Sequence, residues 1–183
     1  MEEAINRVNL ELDKIKKIHK TDQRVNVSGL RKISQWGRDK EFGKHRKLGN
    51  FCESITFGIQ EIRYNKKPDR FQPSKWNDKL SDLYQSLLEL ALYIIPEDLE
   101  MKGLCNITLN HNLKCLPHND QNKGDSIIIG LGEYTGGRLI LHHSDNELEY
   151  IDIHNKPFKF NGRNIKHSTD EFEGDRWSVI YYT

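Results

Sequence analysis

From residue 102 to the C-terminus the chain breaks into short β-rich runs separated by Gly, Asn and Asp, and this texture limits the fold more than any other feature. The runs cover 103–111, 114–118, 125–132, 137–142, 147–153, 157–160, 164–168 and 175–182. Eight short strands at such spacing point to an antiparallel sandwich or barrel. "YTGGRLIL" reads as a Gly-Gly turn entering a strand, and "DIHNKPFKF" as a turn between two strands. No internal repeat or low-complexity tract interrupts the pattern. The expected fold is an all-β core with flanking helices (α+β), a jelly roll or double-stranded β-helix of the cupin-like kind.

The N-terminal half has a different grain. Ile5, Val8, Leu12, Ile15 and His19 recur at three- and four-residue steps and mark a helix over 3–19. Residues 21–47 are basic and broken by glycines at 29, 37 and 43, which reads as irregular structure or a mobile basic loop. "NFCESITFGIQEIRY" (50–64) alternates well enough for one or two strands, and 65–73 is a loop with two prolines. Ser74 is placed to cap a second helix carrying Trp76, Leu80, Leu83, Leu87, Ala91 and Ile94, with Pro96 as its stop. The 183 residues suffice for one domain. We expect 1–100 to supply helices and a basic segment, packed on a jelly-roll core at 101–183.

The overall net charge of +1 hides an asymmetry. Residues 14–79 hold 18 Lys and Arg against 7 Asp and Glu, a balance of +11, whereas 101–183 hold 9 against 11, a balance of −2. A basic flank of this kind suits an anionic partner, nucleic acid being the commonest; a solvated charged surface is the competing reading. The three cysteines, Cys52, Cys105 and Cys115, form no CxxC pair and read as buried thiols, not a disulfide scaffold. No signal-peptide core and no run near the ~18–20 apolar residues of a membrane span is present in the sequence. The expectation is a soluble, intracellular protein in a reducing setting.

The chemistry begins in "CLPHNDQNKGDS" (115–126). Residues i and i+2 of a strand share a face, so His118 and Asp120 project together about 6–7 Å apart, close enough to share one ion. His167, in "NIKHSTD", supplies a third candidate on a late strand. Two imidazoles and a carboxylate on one face of an octahedron leave three positions free, as in non-haem Fe(II) sites. A structural zinc would need a fourth ligand, and Cys115 is expected to point to the other face. Nine residues after His167 comes Arg176, and Ser178 shares its strand face. A guanidinium binds a carboxylate through two hydrogen bonds and a hydroxyl adds another donor, so this pair suits a dicarboxylate; a surface strand-edge arginine is the alternative. His111, His142, His143 and His154 read as polar surface.

The ordered set His118, Asp120, His167, Arg176 and Ser178 resembles the active site of the Fe(II)/2-oxoglutarate-dependent dioxygenases over roughly 103–183. More narrowly, "PHNDQNKGDSIIIGLGEYTGGRLIL" and "DRWSVIYY" resemble the branch containing the TET-type and J-binding-protein nucleobase hydroxylases and their small viral and phage relatives. There a "GxYxGGxLxL" hairpin follows, here Gly132, Tyr134, Gly136, Gly137, Leu139 and Leu141. The resemblance implies that His118, Asp120 and His167 ligate Fe(II). Arg176, assisted by Ser178, would take the distal carboxylate of 2-oxoglutarate, and one metal position would be left for O₂. Asn106 and Thr108 stand as candidate cosubstrate contacts or as ordinary strand polars. Asn122 either touches substrate or supports its turn.

The implied reaction hydroxylates a C–H bond with release of succinate and CO₂, and this branch points to the 5-methyl group of thymine or 5-methylcytosine. The basic segment 14–79 would hold the nucleic acid, with Trp36, Phe42 or Phe51 stacking on bases or lying in the core. The same chemistry on a protein side chain or small metabolite is one alternative, and a catalytically silent jelly-roll binding module another.

Overall fold

The computed structural model describes residues 1–21, 31–32, 46–61, 71–74, 76–97, 105–122, 124–144 and 147–183. Helix α1 (Glu2–Thr21) is followed by strands β1 (Arg31–Lys32), β2 (Arg46–Phe57), β3 (Ile59–Glu61) and β4 (Phe71–Pro73), then helices α2 (Trp76–Lys79) and α3 (Ser81–Ile94). The rest is β: β5 (Asn106–Cys115), β6 (Ser126–Leu131), β7 (Tyr134–Gly136), β8 (Leu139–Ser144), β9 (Glu147–Ile151), β10 (Phe158–Phe160), β11 (Lys166–Thr169), β12 (Phe172–Gly174) and β13 (Trp177–Tyr182). A six-stranded sheet runs β1-β2-β5-β13-β6-β10, and smaller sheets run β11-β8-β9, β12-β7 and β3-β4. Strand pairing is antiparallel throughout these ladders. This is the expected jelly roll with flanking helices, and β2 brings part of the N-terminal half into the main sheet.

The pleat of the main sheet sorts side chains by chemistry. Ile55 and Phe57, Ile107 and Leu109, Ile127, Ile129 and Leu131, and Trp177, Val179 and Tyr181 are buried together with the apolar stripes of both long helices. Those stripes are Ile5, Val8, Leu12 and Ile15 on α1 and Leu83, Leu87, Leu90, Ala91 and Ile94 on α3. Full burial of one such side chain contributes roughly 1.5–3 kcal/mol. The Tyr181 hydroxyl donates to the Leu87 carbonyl at 2.8 Å, which satisfies the polar tip inside this layer. On the opposite face, Ile128 and Ile180 meet Leu139, Leu141, Ile153 and Phe160, joining the main sheet to β8 across the barrel interior.

Three local departures from the sequence pattern matter. The helix expected from Trp76 to Ile94 is interrupted at Leu80, whose φ of −128° and ψ of 50° are not helical. The first turn is tied to β2: the Ser74 hydroxyl accepts from Trp76 N–H and donates to the Thr56 carbonyl, while Asn77 bonds Gly58. α3 instead buries Leu83, Leu87, Leu90, Ala91 and Ile94 in the core. The runs expected at 103–111 and 114–118 join into the single strand β5, with Asn112 in the left-handed region at φ 50°. Finally, β7 and β12 form a separate ribbon that the sequence periods do not resolve. No helix among the described residues is long and apolar enough to cross a membrane.

Because Leu87 is fully buried between α3 and the sheet, Leu87→Ala is expected to cost about 2–5 kcal/mol in chemical denaturation. Leu92→Ala, at a position 73% exposed, is expected to stay within about 0.5 kcal/mol.

Candidate active site

After Cys115 the chain leaves the main sheet through Leu116 and Pro117 and makes a single antiparallel bridge, His118 to His167. The two residues exchange both backbone hydrogen bonds, N–H to O at 2.9 Å each way. Such a pair holds its Cα atoms about 5.5 Å apart with side chains on one face. The imidazole centroids consequently lie 4.3 Å apart. His118 Nδ1 is 2.8 Å from the Leu116 carbonyl and His167 Nδ1 is 3.0 Å from the Ile165 carbonyl. A carbonyl only accepts, so each Nδ1 carries a hydrogen, and Nε2 is the ring nitrogen turned toward Asp120.

Both Nε2 atoms face one carboxylate. Asp120 Oδ1 is 3.5 Å from His118 Nε2, and Oδ2 is 3.6 Å from His167 Nε2. The three ligand atoms all lie within 4.8 Å of one another. Neighbouring ligands of one ion at ~2.1 Å stand about 3 Å apart, so a small inward adjustment closes the set on a divalent ion. Burial holds the His167 pKa below its ordinary value; His118 adds to this and Asp120 opposes it. That keeps the ring in its ligating, neutral form. Phe160 presses edge-on against the same ring at 4.9 Å and 75°.

Asp120 is not held by a strand, as the i, i+2 reading supposes, but by a second loop. Its N–H donates to the Gly162 carbonyl at 2.8 Å. Asn119 Nδ2 donates to the Arg163 carbonyl, and Asn161 Nδ2 to Asp125. A Cβ at Gly162 would stand 2.6 Å from Asp120 Oδ2 and 3.2 Å from His167 Cε1. Gly162 is therefore part of the site, through a close approach that only the folded chain reveals.

These ligands open on a cavity of about 280 Å³, which Arg176 and Ser178 also line. Arg176 is 2% exposed. Its Nε donates to the Gly137 carbonyl at 3.1 Å, and its guanidinium lies 5.5 Å from the ring centroids of Tyr134 and Phe172. Gly137 has no side chain for a reason: a Cβ there would stand 2.7 Å from Arg176 Cδ and Nε. No carboxylate of the described residues lies within ion-pair distance of Arg176. Burial lowers its pKa, with Tyr134 opposing. A guanidinium so enclosed is matched to an anion entering from the cavity.

The other sequence candidates separate. Thr108 lines the cavity and its hydroxyl lies 3.1 Å from that of Thr56 and 3.3 Å from that of Tyr182. Asn106 does not line it; its Oδ1 lies where a Cβ of Gly58 would be, 2.8 Å away. Asn122 lines the cavity while its Nδ2 donates to Ser126 Oγ at 2.7 Å. Asn110, which sequence reasoning missed, is buried, lines the cavity, and lies opposite Ser178 on β13 and Ser54 on β2. Its signal was the same parity carried one step beyond Thr108.

Cys115 requires a correction: it lines the cavity beside His118, not the opposite face. The left-handed residue Asn112 reverses the parity of β5, so Leu113 and Cys115 turn inward. His111, His142, His143 and His154 join Asp175, Ser168, Glu149 and the Gly132 carbonyl respectively, and none falls in the ligand set. About half of the basic segment 14–79, including Trp36 and Phe42, lies outside the described residues, as does the side chain of Phe51.

No protein-family model matches the chain, and no curated protein does. Solved structures do. A prolyl hydroxylase from Trichoplax adhaerens, in complex with a hypoxia inducible factor oxygen degradation domain peptide, superposes with a TM-score of 0.59 at 12% identity, covering 98% of this chain and 77% of its own. A 2OG-Fe(II) oxygenase family oxidoreductase from Burkholderia pseudomallei gives 0.49 at 16% identity over 72% of this chain, which spans 66% of that protein. A Neurospora crassa protein in complex with alpha-KG and 5-formyluracil gives 0.48 at 11% identity, covering 99% of this chain and 68% of its own. The chain shares the fold of the Trichoplax prolyl hydroxylase.

Two substitutions check the geometry. His167→Ala is expected to lower Mn(II) affinity at least about 100-fold by titration calorimetry. Gly162→Ala, which displaces the Asp120 carboxylate, is expected to lower it about 10- to 100-fold, with the far-ultraviolet circular dichroism unchanged.

Proposed function

We propose that the chain is an Fe(II)/2-oxoglutarate-dependent dioxygenase that hydroxylates a C–H bond and releases succinate and CO₂. The observation that carries this reading is the convergence of His118, Asp120 and His167 with Arg176 in one cavity. The oxidative chemistry would come from Fe(II), 2-oxoglutarate and O₂. His118 Nε2, His167 Nε2 and an Asp120 oxygen would hold the metal on one face. Arg176 would bind the distal carboxylate of the cosubstrate, with Ser178 and Asn110 as neighbouring donors on the same sheet face. The apolar wall of Ile128, Leu139, Phe160 and Ile180 would restrict water around the reacting groups.

The substrate reading is the 5-methyl group of a nucleobase, thymine or 5-methylcytosine. Its support is the resemblance of "PHNDQNKGDSIIIGLGEYTGGRLIL" to that branch and the +11 charge balance of residues 14–79. A base would be presented single-stranded or flipped from the duplex, with basic side chains on the phosphates. Hydroxylation of a protein side chain is the second reading, favoured by the peptide in the Trichoplax prolyl hydroxylase complex.

Mass spectrometry of oligonucleotides containing thymine or 5-methylcytosine after aerobic turnover is expected to show gain of one oxygen, matched by succinate. Unmodified bases with succinate formed on a peptide would move the assignment to the second reading, and no succinate under any condition would overturn the enzyme reading. Arg176→Ala is expected to weaken 2-oxoglutarate binding about 30-fold or more, because a buried charge contact is lost.

A further inference from the structure

One residue whose side chain lies outside the cavity holds the backbone of Arg176. Asn112 has φ 50°, a conformation that Asn adopts more readily than most residues. Its N–H donates to the Arg176 carbonyl at 2.8 Å, and its Oδ1 accepts from the Arg176 N–H at 2.9 Å. Both backbone polar groups of the buried arginine are therefore held by one asparagine. The flanking residues are held from the same place. His111 Nε2 donates to Asp175 Oδ1 at 2.6 Å, and its ring stacks on Trp177 at 3.9 Å and 11°. The left-handed step also turns Leu113 and Cys115 inward and so sets the direction in which the chain arrives at His118.

We propose that Asn112 is the positioning residue for Arg176, aiming its guanidinium at the cosubstrate carboxylate through the Oδ1 hydrogen bond. The proposal rests on the oxygenase reading. It assigns to Asn112 a specific output, cosubstrate affinity, separable from metal affinity. The metal half is held by other bonds: the His118–His167 backbone pair and the Gly162 loop. Losing Oδ1 leaves the Arg176 N–H without its partner and lets the backbone of 175–177 relax, while φ at position 112 is still free to stay positive in a glycine variant.

The test uses the full chain loaded with Mn(II), whose uptake is measured by electron paramagnetic resonance, followed by calorimetric titration with 2-oxoglutarate. Asn112→Gly keeps the left-handed backbone and removes the acceptor. It is expected to weaken 2-oxoglutarate binding about tenfold with Mn(II) affinity within about twofold. Asn112→Asp keeps an oxygen at the Oδ1 position and is expected to stay within about threefold of the parent. Equal 2-oxoglutarate affinity in Asn112→Gly and the parent would overturn the positioning role, as would parallel losses of metal and cosubstrate. If the glycine variant does not fold, the split between the two affinities is read from Asn112→Ser with the same two outcomes. A parent protein that takes up Mn(II) but no 2-oxoglutarate would overturn the oxygenase reading itself.

Discussion

The reciprocal backbone hydrogen bonds between His118 and His167 are the constraint on which the rest depends. They bring together residues far apart in sequence and fix their side chains on one face, without asking anything of the side chains. The imidazoles are then oriented by the nearest available carbonyls, two residues back in each case. The carboxylate is added from a loop held against Gly162. A His-Asp-His cluster assembled largely by backbone bonding depends little on surface side chains.

The main sheet makes such a site affordable in a chain of 183 residues. One face is apolar and sealed by α1 and α3, and supplies stability. The other carries hydroxyls and amides beside Ile128 and Ile180, and lines the cavity. Alternation along β13 puts Trp177, Val179 and Tyr181 on the first face and Arg176, Ser178 and Tyr182 on the second. The arginine is tolerated in the interior because its Nε has a carbonyl, two aromatic rings lie beside it, and its backbone is bonded to Asn112.

What the sequence made legible follows from how local each feature is. The helical stripes, the short strands and the i, i+2 parity of Arg176 and Ser178 are properties of neighbouring residues, and they read correctly. His118, Asp120 and His167 were legible as candidates because imidazole and carboxylate in that order are chemically distinctive. Features that depend on a single backbone dihedral or on a distant contact were not. Asn112 at φ 50° inverts the strand parity, and no period analysis placed Cys115 inward. Gly162 matters only because Asp120 and His167 come to it. Asn110 obeys the visible parity, but the end of the cavity is set by how three strands align, which register alone decides.

The central claim is that His118, Asp120, His167 and Arg176 form one site for a metal and an anionic cosubstrate. Anaerobic addition of Fe(II) and then 2-oxoglutarate to the purified chain tests it most directly. A weak visible charge-transfer absorption is expected that requires both additions and is absent in the His167→Ala variant. No such absorption from the parent protein at saturating Fe(II) and 2-oxoglutarate, or an equal one from His167→Ala, would contradict it.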